Sequence, residues 1–195
     1  MDRTRARILH AAQALLLGHD GRTFSLDAVA RRAGVTRVTV YQHFGSRPKL
    51  LEALFDDLAR RGGMWELSQA FRQPDPEAAL ARFVTTFGRF WTVHRTLHRR
   101  LRALATLDPR LGRTLDARQE WRRQGLRVIV GRLRERLPSP AVGGGPEATI
   151  DALFALTGFE TFDLLAGPTR SPAEVAPIVL RIARAALGLL AEPPV

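Results

Sequence analysis

The sequence predicts an all-α protein of about nine helices, and three observations carry that prediction. Apolar residues recur at spacings of three and four along most of the chain, as in Ile8, Leu9, Ala12, Leu15 and Leu16, which marks amphipathic helices. Helix starts are punctuated by a capping residue followed by proline, at Asp75-Pro76, Asp108-Pro109 and Ser171-Pro172. No segment reads as a strand.

Arg3 to Gly18 reads as the first helix, ended by Gly18 and Gly21. The opening MDRTRARILHAAQALLLGHDG mimics a signal peptide only weakly, because His10 and Gln13 interrupt its apolar part and no cleavage pattern follows. Phe24 is expected to fill the space between this helix and the next two. Those lie in SLDAVARRAGVTRVTVYQHFGSRPK, residues 25–49. Ser25 caps the first of them, whose inner face is Val29, Ala30 and Ala33, and Gly34 stands where the chain needs a positive φ to turn. Thr36 caps the second, with Val40 and Phe44 facing inward. A small residue, a glycine four later and a β-branched residue six after that form a helix-turn-helix pattern. Ala30 lets the helices approach, Gly34 makes the turn and Val40 locks the second helix onto the first. The solvent face then shows Arg37, Val38, Thr39, Tyr41 and Gln42, with His43 at its end, a surface suited to base edges and phosphates. Gly45 breaks this helix and Ser46 caps a fourth, with Leu50, Leu51, Leu54, Phe55 and Leu58 as its buried stripe and Gly62-Gly63 as its end.

Beyond Asp75-Pro76 a helix runs from Glu77 to about His94, carrying Leu80, Phe83, Val84, Phe87, Phe90 and Trp91. A short helix covers Leu97 to Leu107, and a long one follows from Asp108 to Leu137. Ser139 to Pro146, SPAVGGGP, is the most loop-like segment. A single helix is expected from Pro146-Glu147 to Ala166. Ser171 with Glu174 forms a capping box for the last, whose apolar side is Val175, Ile178, Val179, Ile182, Ala186 and Leu189.

The 195 residues suffice for a real core, and the 45% hydrophobic and 25% charged content is that of a globular protein. The absence of cysteine excludes a disulfide scaffold, a thiolate nucleophile and a Cys-ligated metal. No apolar run approaches the roughly 18 residues that span a bilayer, so no membrane role is expected. Net charge is +11, with Lys49 the only lysine; the sign favours an anionic partner, although the Arg bias is also what a GC-rich genome gives. Residues 95–136 hold thirteen Arg against four acids, more positive than residues 1–62 with eleven Lys and Arg against six acids. That segment could attract an anionic ligand or DNA, or simply form a solvated face. No nucleophile with a neighbouring base, glycine-rich phosphate loop or metal-ligand pair appears, so neither enzyme activity, nor a cofactor, nor a metal is expected.

The first sixty residues resemble the DNA-binding domain of the TetR family of one-component bacterial transcriptional regulators. The resemblance lies in the order of parts: an amphipathic helix, the approach Gly21-Arg22-Thr23-Phe24-Ser25, the helix-turn-helix, then Tyr41-Gln42-His43-Phe44-Gly45-Ser46-Arg47 entering the fourth helix. Val38 stands where the family often has Gly or Pro, and Arg47 where it often has Lys. The resemblance implies a DNA-binding domain over 1–48, with helix 47–62 as connector, and a helical ligand-binding and dimerisation domain over 63–195. It implies that Ser25, Thr36, Arg37, Val38, Thr39, Tyr41, Gln42, His43 and Arg47 line the DNA, with Lys49 adding to them. The side chains allow the same roles. Arg37 can hold guanine O6 and N7, Gln42 can read adenine or reach a phosphate, and Val38 and the Thr39 methyl can meet a thymine methyl. Ser25, Tyr41, His43 and Arg47 suit phosphates, which set register without reading sequence. For Tyr41 a place in the small domain's core is the competing reading.

The resemblance also implies a homodimer through the last two helices and an effector pocket among the middle ones. The aromatic-rich set Phe83, Phe87, Phe90, Trp91, His94, Leu101, Leu104, Trp121, Leu153, Phe154 and Phe159 could line such a pocket or form ordinary core. His94, Glu120, Glu160 and Asp163 are the polar candidates to orient a ligand there. The expected function is a cytoplasmic regulator, a repressor on a pseudo-palindromic double-stranded operator, released by an unidentified small molecule. Alternatives are an architectural DNA-binding protein without effector and, less favoured, an all-helical enzyme.

Overall fold

A computed structural model describes residues 3–18, 24–135 and 145–189. Among them the chain is all helical, with eleven α-helices and one 3-10 turn. They are α1 (Arg3–Leu17), α2 (Leu26–Ala33), α3 (Arg37–Phe44), α4 (Arg47–Arg61), α5 (Leu67–Phe71) and α6 (Pro76–Val93). There follow α7 (Arg95–Ala105), α8 (Pro109–Arg134), α9 (Gly145–Leu156), α10 (Phe159–Ala166) and α11 (Pro172–Ala186); the 3-10 turn is Met64–Glu66. Gly21 and most of the SPAVGGGP segment, residues 139–144, lie outside the described residues.

Two corrections bring nine helices to eleven. The stretch after Gly63, without a strong pattern in the sequence, holds the 3-10 turn and α5. The single helix expected to Ala166 is two, because Gly158 leaves helical geometry at φ −70° and ψ 156° and restarts the chain as α10. Apolar spacing runs on through this break, so periodicity alone does not reveal it.

Two compact units result: residues 1–61 with 94–118, and residues 62–93 with 119–195. In the first, α1 packs on α2, α4 and α7. Its core joins Ile8, Leu16 and Phe24 to Val29, Val40, Phe44, Leu50, Leu54 and Leu58, and to Leu97, Leu101 and Leu111. The expected DNA-binding domain runs over 1–48 with helix 47–62 as connector; here α4, α7 and the start of α8 share one core with the helix-turn-helix, because Leu50, Leu54, Leu97, Leu101, Leu111 and Leu115 complete it.

In the second unit α6 is central and packs on α11, α10 and α5. Phe83, Phe87, Trp91, Leu126, Ile129, Leu153, Phe162, Val175 and Val179 build the core. Gly88 is needed where α6 meets its neighbours: a Cβ there would stand 3.1 Å from Phe162 and 3.2 Å from Ala176. The α11 start shows the expected capping box between Ser171 and Glu174, and Thr92 Oγ1 accepts from Ala173 N at 2.8 Å.

Candidate nucleic-acid interface

The helix-turn-helix is built by local chemistry. Ser25 Oγ accepts from Ala28 N at 3.1 Å, satisfying a free N–H of α2. Gly34 closes α2 at φ 62°, where only glycine is unstrained. Arg7, from α1, donates to the Ala33 and Gly34 carbonyls at 3.0 and 3.2 Å and holds the turn. Thr36 Oγ1 accepts from Thr39 N at 3.1 Å to start α3. Val40 and Phe44 are the buried side of α3, with the Arg5 guanidinium 4.7 Å from the Phe44 ring centre.

The other side of α3 is open. Arg37, Val38, Tyr41 and Gln42 are exposed, as is the capping Thr36, while Thr39 and His43 are half-buried. Tyr41 is 62% exposed, which removes it from the core. Val38, a β-branched apolar residue, is 63% exposed on the same face. Arg37 reaches Asp27 at 3.3 Å, but both side chains are largely in water, so the pair is weak and exchangeable. Lys49 is exposed in the first turn of α4, whose cap is Ser46 Oγ accepting from Lys49 N at 3.3 Å.

Arg47, expected against a phosphate, is turned inward instead. Its Nε donates to the Phe24 carbonyl at 3.1 Å, its Nη2 to Asp108 Oδ2 at 2.5 Å, and its guanidinium lies 5.3 Å from the Phe24 ring centre. Asp108 also caps α8, with Oδ1 accepting from Arg110 N and Leu111 N at 3.0 and 3.2 Å. Desolvation pushes the Asp108 carboxyl up; the hydrogen bonds from Arg47 and from these backbone N–H groups outweigh it and hold the carboxyl below its ordinary value.

The residues expected around an effector do not all come together. Phe83, Phe87, Trp91 and Phe159 are buried in the second unit, linked by ring contacts of 4.8 to 5.7 Å, and Phe90 stands 4.8 Å from Trp91. Phe154 and Leu153 belong to the same cluster. His94, Leu101 and Leu104 lie in the first unit, because the turn from α6 into α7 carries the chain there. His94 Nε2 is 2.9 Å from the Leu58 carbonyl. Trp121 is 78% exposed, since the buried side of α8 is the one that carries Leu126, Ile129 and Leu133. Glu120 and Glu160 are exposed and Asp163 is half-buried.

A buried arginine in this cluster escaped the sequence reading. Arg122 is 5% exposed, with Nη1 donating to Thr157 Oγ1 at 2.7 Å and to the Phe154 carbonyl, and Nε donating to Gln119 at 3.0 Å. Its guanidinium lies 3.9 Å from the Phe154 ring centre, and Trp91 Nε1 donates to the Thr157 carbonyl at 3.2 Å. The signal was available: Arg122 precedes Leu126, Ile129 and Leu133 at the spacings of their apolar stripe. Among the described residues no cluster of three or more His, Asp or Glu is placed to hold a metal ion.

A protein whose described residues are all helical, with a capped helix-turn-helix displayed near its N-terminus, has the architecture of a DNA-binding regulator. Residues 8–54 match the family of bacterial regulatory proteins, tetR family. It is 40% identical over 53 residues to the HTH-type transcriptional regulator SrpR of Pseudomonas putida, covering 27% of this chain and 25% of that protein. It is 41% identical over 51 residues to the uncharacterized HTH-type transcriptional regulator TtgW, also of Pseudomonas putida, covering 26% and 38%. The chain thus spans well under half the length of these relatives. Over nearly its whole length it shares its fold with solved structures. NalD of Pseudomonas aeruginosa, described as the secondary repressor of the MexAB-OprM multidrug efflux pump, superposes with a TM-score of 0.70 at 24% identity, covering 95% and 96% of the two chains. The SmeT–triclosan complex gives 0.72 at 20% identity, covering 100% and 99%.

Proposed function

We propose that the protein is a transcriptional regulator that binds double-stranded DNA through α3 as a homodimer and is released from its operator by a small molecule. The observation that carries this reading is the pairing of a buried and an open side on α3: Val40 and Phe44 fix the helix, and Arg37, Val38, Tyr41 and Gln42 are offered outward. Arg37 suits guanine, Gln42 adenine, and Val38 with Thr39 a thymine methyl. Ser25, Thr36, Tyr41, His43 and Lys49 supply phosphate contacts, with net charge +11 adding a non-specific pull. Arg47 acts behind them, positioning α4 and the approach to α2.

The homodimer is assigned to α10 and α11, where Leu164 is 83% and Ile182 39% exposed on helices otherwise packed into the core. Two copies would set their α3 helices in successive major grooves, roughly 34–36 Å apart. The effector is assigned to the second unit, beside Phe83, Phe87, Phe90, Trp91, Phe154, Phe159 and Arg122; the fold it shares with a triclosan-bound protein supports an aromatic apolar ligand. Repression in the cytoplasm is the mode the family resemblance favours.

Selection of bound duplexes from a random library tests the reading. An inverted repeat with half-sites about one helical turn apart supports it. Binding that follows salt alone, with no recovered sequence, removes it.

A further inference from the structure

α8 carries an exposed stripe with two large apolar residues on it. Its inward side holds Arg122, Leu126, Ile129, Val130 and Leu133. The outward side shows Trp121 at 78% and Val128 at 51% exposure, with Gln124 exposed between them. A Cβ at Gly131, further along, would meet nothing within 4 Å. A tryptophan and a valine on one open stripe are an unusual surface for a helix left to water.

We propose that this face packs antiparallel against α8 of a second copy, about a twofold axis through Gln124. With each residue turned by about 100° and raised by about 1.5 Å, Trp121 and Val128 fall on one flank of Gln124, about 4.5 Å before it and about 6 Å after it along the helix. Glu120 and Arg127 fall likewise on the other flank. A twofold axis through Gln124 therefore sets Trp121 against Val128 of the second copy, and Glu120 against its Arg127. Each contact occurs twice, as an isologous interface requires. Glu120 and Arg127 already pair within α8 at 3.1 Å, so both charges stay matched when they meet across the axis. A parallel twofold arrangement would instead exchange the flanks, setting Glu120 and Arg127 against Trp121 and Val128 of the second copy and leaving both charges without a partner across the axis.

One helix pair buries less than the roughly 1,200–2,000 Å² of a stable interface, so the association is concentration-dependent. It uses different residues from the α10 and α11 face, and would link dimers formed there into larger assemblies.

The chain has no cysteine, so Gln124→Cys in the full-length protein gives a single thiol at the axis. Under mild oxidation it should form a covalent dimer about tenfold faster than Ala103→Cys, exposed on α7, because the contact raises the local thiol concentration. Adding Trp121→Glu should return the rate to that of the control. Equal rates at the two cysteines, or crosslinking indifferent to Trp121→Glu, would overturn the proposal. Trp121 and Gln124 are exposed, so circular dichroism of the variants should match wild type. None of these positions lies on α3, so DNA binding is judged separately.

Discussion

Arg47 and Asp108 form an ion pair at 2.5 Å that ties the first turn of α4 to the cap of α8. Asp108 uses both oxygens, one for Arg47 and one for the N–H groups of Arg110 and Leu111. Asp108→Asn keeps a capping oxygen and should cost about 1 kcal/mol, whereas Asp108→Ala loses cap and partner together and should cost about 2 kcal/mol. Because the carboxyl is held below its ordinary value, its contribution is present above about pH 4 and is lost as pH falls through the lowered value. Urea melts of wild type and Arg47→Ala should therefore differ most at neutral pH and draw closer in acid, where only the Phe24 contacts of Arg47 remain. A difference that persists unchanged at low pH would separate Arg47 from Asp108.

His94 and His98 give a second pH dependence, with the opposite group type. Burial is the main cause that lowers both, and His98 is brought down to about 3, with the charges of His94 and Arg102 adding to it. A histidine lowered in the folded state stays neutral there while the unfolded chain takes up a proton below about pH 6.5. Stability is thus complete above that pH and falls as pH drops from about 6.5 toward about 3. Between about pH 6.5 and 5 His98 alone should remove up to about 2 kcal/mol. Chemical melts across this range should show the loss, and His98→Leu should flatten it.

Gly88 tests the second unit. Valine there must fit branches where even a Cβ stands 3.1 Å from Phe162 and 3.2 Å from Ala176, so Gly88→Val should destabilise by about 1–3 kcal/mol through overpacking. Gly131→Val, in open space on α8, is the control and should change the melt little.

Lys49 and Arg47 should separate in DNA binding. Lys49 is exposed, so Lys49→Ala should weaken binding to all sequences and reduce the salt slope by about one counterion. Arg47→Ala should leave that slope unchanged, since its guanidinium is engaged with Phe24 and Asp108. Equal slopes for Lys49→Ala and wild type would remove Lys49 from the phosphate set.

The helix-turn-helix was legible because its signals are local. Ser25, Thr36 and Ser46 each accept the backbone bond their position in sequence promised, and Gly34 turns at positive φ. What escaped depends on contacts between distant residues. Asp108 announced itself as a cap, but nothing near it in sequence announces Arg47, sixty-one positions earlier. Trp121 reads as core by residue type, and only the facing of α8 sends it outward. Arg122 reads as surface by type, and is buried because Thr157, Gln119 and the Phe154 carbonyl satisfy its donors. Charge and hydrophobicity set the prior; which side of a long helix meets the core decides the residue.

The most direct test of α3 as the DNA reader is parallel selection of bound DNA with wild type and Arg37→Ala. If Arg37 reads a guanine, both proteins should recover one inverted repeat, with preference relaxed in the variant at one guanine per half-site and unchanged elsewhere, a loss of about 1–3 kcal/mol at that base. An unaltered preference at every position in Arg37→Ala, or no motif from either protein, would contradict it.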